Sequence, residues 1–140
     1  EMNMALVLIS HDLSVVGEVC DRIAVMYVGR IVETAPAAEL FANPAHPYTR
    51  GLLSAAPSFG ARGERLVPIQ GNVPEPWNMP PGCPFQPRCS YAIEECGLAP
   101  PPLATVAAAH KSACIRAGEL PAHRSNIHST SRIGENGAAA

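Results

Sequence analysis

The residues best suited to chemistry are one histidine near the start of the chain and a set of cysteines near its end. His11 stands between Ser10 and Asp12, directly after the apolar run Met4-Ala5-Leu6-Val7-Leu8-Ile9. An unbroken apolar run without alternation reads as a parallel strand covered on both faces. A polar residue at the C-terminal end of such a strand lies on the edge where open α/β sheets place their ligands. Imidazole there can donate to a phosphate oxygen or orient an attacking water, which suits phosphoryl transfer because that chemistry rests on positioning and charge stabilisation. The plainer alternative is a turn histidine that helps Asp12 cap a helix.

The cysteines fall as Cys83-x5-Cys89-x6-Cys96-x17-Cys114, with Cys20 the odd thiol on a predicted helix, where it reads as a small buried apolar residue. In a reducing compartment such a quartet ligates metal more readily than it forms disulfides. The spacing matches neither the paired C-x2-C of zinc ribbons nor bacterial ferredoxin runs, so the pattern leaves zinc, an iron–sulfur cluster, free thiols and disulfides all open. Arg88 next to Cys89 can ease thiolate formation. His110, four residues before Cys114, is an outer-shell donor or alternative ligand on one reading and a plain surface histidine on the other.

The elements that must position these groups follow from the apolar pattern. Asp12 is placed to cap a helix carrying Leu13, Val15, Val16, Val19 and Cys20 at helical spacing. Two β-rich runs, Ile23 to Val28 and Ile31 to Glu33, predict a hairpin turning at Val28-Gly29-Arg30. Pro36 and Pro47 each suit the first turn of a helix, with Asn43-Pro44 as the break between the two. The predicted order is β, α, β, β, α, α. Ten of the fifteen prolines fall between Pro68 and Pro102, so the second half is expected to be irregular and to draw its order from the cysteines.

A formal charge of −2 and a pI near 6.2 give no broad positive field, and nucleic acid is not an expected partner. No run of 18 apolar residues occurs, and the opening lacks the layout of a signal peptide. A buried-type strand beginning almost at the first residue leads us to expect a longer protein upstream.

Three blocks together resemble a known family. Leu8-Ile9-Ser10-His11-Asp12-Leu13, with Val19 to Tyr27 and Gly29-Arg30-Ile31-Val32-Glu33, is similar to the switch-histidine segment of ABC ATPases. Asn43-Pro44-Ala45-His46-Pro47-Tyr48-Thr49-Arg50-Gly51-Leu52-Leu53 and the stretch from Gly71 to Cys89 with Cys96 and Cys114 resemble the C-terminal part of the ATP-binding subunit of oligopeptide/dipeptide (peptide/nickel) ABC importers. The resemblance covers roughly Met4 to Ile115. It implies that His11 contacts the terminal phosphate of ATP, with Mg as the companion ion. It also implies that Cys83, Cys89, Cys96 and Cys114 are a ligand set, since some members carry an iron–sulfur cluster there, of the [4Fe-4S] kind.

The fold expected on that basis is the C-terminal piece of a RecA-like P-loop ABC ATPase domain with an irregular Pro/Cys-rich extension. Its parts are the end of the ATPase domain (1–35), a helical His-Pro-Tyr segment (36–57), the Cys-rich region (58–120) and a disordered tail (121–140). The expected function is to help power import of peptides or related solutes, with a second ATPase subunit, a transmembrane permease and, indirectly, a solute-binding protein as partners, at the cytoplasmic face of the membrane. A phosphate-binding G-x-x-x-x-G-K-[ST], a Ser-Gly-Gly-Gln signature and a Mg-binding Asp followed by a catalytic Glu do not occur in these 140 residues, so this segment alone is not expected to bind ATP tightly or hydrolyse it. The rival from another class is a stand-alone Cys-rich metal-binding interaction module.

Overall fold

The computed structural model describes residues 4–56 and 66–123. The first part of the expected Cys-rich region, up to residue 65, and most of the tail expected from 121 lie outside those residues.

Asp12 caps the first helix, α1 (Leu13–Val19), as its side-chain oxygen accepts the Ser14 N–H at 2.9 Å. Burial is confined to Val16. Gly17 lies flat against the Phe41 ring, where an added Cβ would stand 2.7 Å from two ring carbons. The helix is followed by the hairpin β1 (Arg22–Tyr27) and β2 (Arg30–Pro36), which pair antiparallel. Val28 and Gly29 both have positive φ, 42° and 77°, the requirement of a type I′ turn whose twist matches that of the flanking strands.

Along β1 the alternation is regular, and Ile23, Val25 and Tyr27 face the core. The register shifts between Val25, opposite Glu33, and Met26, opposite Ile31, so Val32 is an extra residue on β2. A bulge of this kind breaks the two-residue period. As a result Val32 and Glu33, neighbours in sequence, are both buried.

Pro36 ends β2 and precedes α2 (Ala37–Ala42), whose Leu40 and Phe41 enter the same core. Asn43 closes that helix, and Pro47 occupies the first turn of α3 (Pro47–Ala55). Both helices form where the sequence places them, but only Pro47 lies in the first turn, where its fixed φ fits and the missing N–H would go unused; Pro36 is the N-cap residue that ends β2.

Two expectations are corrected. Met4 to Ile9 is not a strand: these residues have no regular secondary structure and face solvent, Val7 87% and Ile9 94% exposed. A parallel strand exists only by hydrogen bonding to neighbours, and no described residue pairs with this one. Conversely, the Cys-rich region is not wholly irregular. It supplies β3 (Ala104–Ala107) and β4 (His110–Ser112), which complete an antiparallel sheet in the order β1-β2-β4-β3. The outcome is a small mixed α/β unit. Around it Gln86–Arg88 and Glu94–Gly97 form single 3-10 turns, and no helix of the described residues is long and apolar enough to cross a membrane.

Candidate functional site

His11 lies in the turn that leads into α1, exposed to solvent and one residue before the capping Asp12. Its N-terminal neighbours do not form the strand that would set it on a sheet rim. The backbone amide of Ser14 holds the Asp12 carboxyl below its usual range, which fixes the turn but supplies no second catalytic group. His11 and the cysteines are not brought together as one site. What the fold does assemble is a polar junction in the core and a knot of thiols beside it.

The junction is built on Glu33, 0% exposed on β2. Its Oε1 accepts the Ala45 N–H at 2.6 Å and Oε2 the His46 N–H at 3.0 Å. His110 Nε2 on β4 lies 2.7 Å from the same Oε1, and its Nδ1 is 3.6 Å from Glu39 on α2. His110 is thus a buried partner of a carboxylate, neither a surface histidine nor a cysteine-set ligand. Its position opposite β2 explains this: the strand pair formed by β2 and β4 carries the ring inward. Glu33 is the residue that sequence reading missed, because a glutamate in a β-rich run reads as a solvent-facing position and only the bulge turns it in.

His46 is 1% exposed and caps α3. Nδ1 accepts the Tyr48 N–H at 3.1 Å, while the other ring nitrogen donates to the Ala113 carbonyl just past β4. Burial pushes its pKa down to about 4, against a smaller opposing effect of the Ala113 backbone. Tyr48 then packs its ring 4.6 Å from Tyr27 and 5.4 Å from Phe85, with Tyr27 and Phe85 edge to face at 5.3 Å. This aromatic cluster joins the hairpin, the His-Pro-Tyr helix and the Cys-rich region within the chain.

In the Cys-rich region, Cys83 N–H donates to Cys96 O at 2.8 Å, and Gly82 lies so close to residues 96 and 97 that an added Cβ would fall 2.1 Å from the Cys96 carbonyl oxygen. All five cysteines are free thiols. The four of the quartet lie near enough to influence one another, and burial is the main cause that raises Cys83, Cys89 and, to about 11, Cys114. Opposing burial, the N–H groups of Phe85 and Gln86 donate to Cys83, that of Tyr91 to Cys89 and that of Arg116 to Cys114. Three of the four sulfurs thus receive the amide two residues ahead, an arrangement that favours thiolates over thiols. Among the described residues no group of three or more His, Cys, Asp and Glu side chains is placed to hold a metal ion.

The expected help from Arg88 is corrected. Its guanidinium is directed to the carbonyls of Gln70 at 3.0 Å and Ile69 at 3.4 Å and to the Tyr27 hydroxyl at 3.4 Å. Beside the aromatic cluster a cleft of about 290 Å³ opens between Ile31 and Val32 on one side and Phe85, Pro100–Pro102 and Leu103 on the other, with exposed Arg30 at its edge.

Comparison with known proteins agrees with this layout. The chain is 49% identical over 128 residues to a peptide import ATP-binding protein of Brucella ovis, a match covering 87% of this chain and 38% of that protein. It is 50% identical over 101 residues to the oligopeptide transport ATP-binding protein OppD of Escherichia coli K12, covering 72% of this chain and 30% of that one. A probable-peptide ABC transporter ATP-binding protein of Sinorhizobium fredii is 48% identical over 125 residues, 88% of this chain and 35% of the relative. The chain therefore spans well under half the length of these relatives. Fold and similarity together define it as the C-terminal part of an ABC ATPase subunit. Residues 32–96 match the oligopeptide/dipeptide transporter C-terminal region.

Proposed function

We propose that this chain serves in the ATP-hydrolysing subunit of an ABC importer for peptides or related small solutes. The observation that carries the reading is the near-50% identity to peptide-import ATP-binding proteins over most of the chain. In this reading His11, on an exposed turn one residue before the capping Asp12, approaches the terminal phosphate of ATP held with Mg by other segments of the subunit. There it donates a hydrogen bond to the charge that develops on phosphoryl transfer. The partners are a second ATPase subunit and the membrane permease, with a solute-binding protein beyond it, and the place of work is the cytoplasmic face of the membrane.

The test is a hybrid in which this chain replaces the matching segment of the E. coli OppD protein. The hybrid is expected to hydrolyse ATP and restore peptide uptake, and His11→Ala in it to cut hydrolysis about 100-fold, the scale for removal of one transition-state donor. Unchanged turnover in that variant would refute the role of His11, and a folded hybrid without uptake would refute the transport reading.

For the cysteine quartet we infer an iron–sulfur cluster site, with Cys83, Cys89, Cys96 and Cys114 as ligands. The donor chemistry fits, with four mutually close sulfurs and amide N–H groups already directed at three of them. When bound, the cluster would supply a covalent tie among loops whose prolines preclude a regular core.

A further inference from the structure

The cleft beside the aromatic cluster lies where β2 outruns its neighbour. Pairing of β2 with β4 ends at Glu33 opposite Ser112, with one further bond from the Ala113 N–H to the Val32 carbonyl at 2.8 Å. Arg30 and Ile31 pair with β1 alone, so no strand of the described residues lies along their other side. Ile31, Phe85 and Leu103 make the cleft apolar, and Pro100, Pro101 and Pro102 stand opposite β2. Proline has no N–H, so that wall can accept hydrogen bonds but not donate them. His46 also borders the cleft, yet both its ring nitrogens are engaged, one by the Tyr48 N–H and the other by Ala113. Arg30 is the one Asp, Glu, Lys or Arg among the lining residues. It is exposed, and no described residue hydrogen-bonds or ion-pairs with its guanidinium.

We propose that this cleft binds a short peptide by its C-terminal residue, with the apolar side chain against Ile31, Phe85 and Leu103 and the terminal carboxylate on Arg30. Three observations select that ligand. An unpaired guanidinium at the edge of an apolar slot complements a carboxylate, which it can take with two parallel N–H donors. A wall of prolines favours a ligand that brings its own N–H groups, as a peptide does and a fatty acid does not. The stretch of β2 without a partner suits extended main chain, the mode in which strand edges recruit peptides. At about 290 Å³ the cleft is at the small end of ligand sites and holds one large side chain with its attached groups. The choice of a peptide over other donor-bearing acids rests on the import reading above, in which this subunit faces the compartment that receives the peptides.

The experiment titrates the isotope-labelled 140-residue chain with alanyl-leucine and follows the backbone amide resonances of Ile31, Leu103 and Ala113. Saturable shifts at these amides are expected, with an affinity that falls as salt rises because Arg30 is exposed. Alanyl-leucine amide, which lacks the terminal charge, should bind about 10-fold more weakly, the scale for loss of a charged hydrogen bond. Isocaproate, which keeps the side chain and the carboxylate but has no N–H, should also bind about 10-fold more weakly. Arg30→Gln changes an exposed side chain that the fold does not use, and in it the acid and the amide should bind alike. A merely structural effect of that variant would weaken both ligands and leave the preference for the acid in place. No saturable shift, shifts confined to residues outside the cleft, equal affinity of the parent for acid and amide, or equal affinity for alanyl-leucine and isocaproate would each overturn the proposal. None of these results touches the transport reading, which stands or falls on uptake by the hybrid subunit. Binding as described in a chain whose hybrid fails in uptake would support the site and remove only the transport role.

Discussion

His46 should make the stability of this chain depend on pH in a window where few other groups act. In the unfolded chain its ring titrates near the ordinary value of 6.5, whereas in the folded chain burial holds it at about 4. Between those values the unfolded chain binds a proton that the folded chain refuses. Stability is therefore fully present above about pH 6.5 and is lost progressively as the pH falls toward 4. At about 1.4 kcal/mol per pH unit, the interval amounts to about 3 kcal/mol, a large share of what a small domain possesses.

The assay is urea unfolding at half-unit steps from pH 7.5 to 4 for the parent chain and for His46→Asn. Asparagine can still cap α3 by accepting the Tyr48 N–H, but it cannot titrate. The variant will be less stable at pH 7 because the bond to Ala113 is lost, and the informative quantity is the change with pH. The parent should lose about 3 kcal/mol more than the variant on acidification, the difference set by the linkage above. Carboxylates common to both proteins cancel in that difference. Parallel curves would refute the reasoning, since they would mean that the ring can be protonated in place or is not enclosed in solution.

Two further outcomes follow from the packing. Glu33→Gln puts an amide NH2 where the carboxylate receives Ala45, His46 and His110, so at least one donor must face another donor. A loss of about 3 kcal/mol is expected in denaturant unfolding, the scale for breaking a buried pair from one side, and a loss below about 1 kcal/mol would show that the site is wet. Gly82→Ala drives a methyl into the Cys96 carbonyl. It should cost about 2 kcal/mol and speed hydrogen exchange at the Cys83 amide, while an unchanged amide would show that the two loops part without penalty.

The features legible in the sequence were those whose cause is local. Asp12 caps its own helix, Val28-Gly29 makes its own turn, and Pro47 with His46 starts α3 from within a three-residue span. Features that depended on distant chain were hidden. Ala104 to Ala107 is too short and too bland to announce a strand, and the preceding Pro100–Pro102 argues against one, so β3 and β4 arise only because β2 offers a free edge. The run Met4 to Ile9 fails for the mirror-image reason, having the composition of a strand but no partner among the described residues. Arg88 shows the same contrast at the level of one side chain, since adjacency in sequence to Cys89 favoured an arginine that the fold turns away.

The bulge at Val32 is what makes these non-local links interdependent. Without the extra residue, strict alternation would place Glu33 on the opposite face from Val32, and the Ala45 and His46 amides would lose their acceptor. With it, Val32 accepts the Ala113 N–H at 2.8 Å while Glu33 lies across from Ser112. Ala113 in turn accepts from His46 and immediately precedes Cys114. The backbone of Cys114 is therefore one residue from the polar junction that anchors the His-Pro-Tyr helix. A change that pulls Cys114 away from the other sulfurs would strain the Ala113 bonds to Val32 and His46 before it reached any surface loop. For that reason the Cys-rich region is better regarded as the fourth side of the hairpin's core than as an appendage joined to it by a linker.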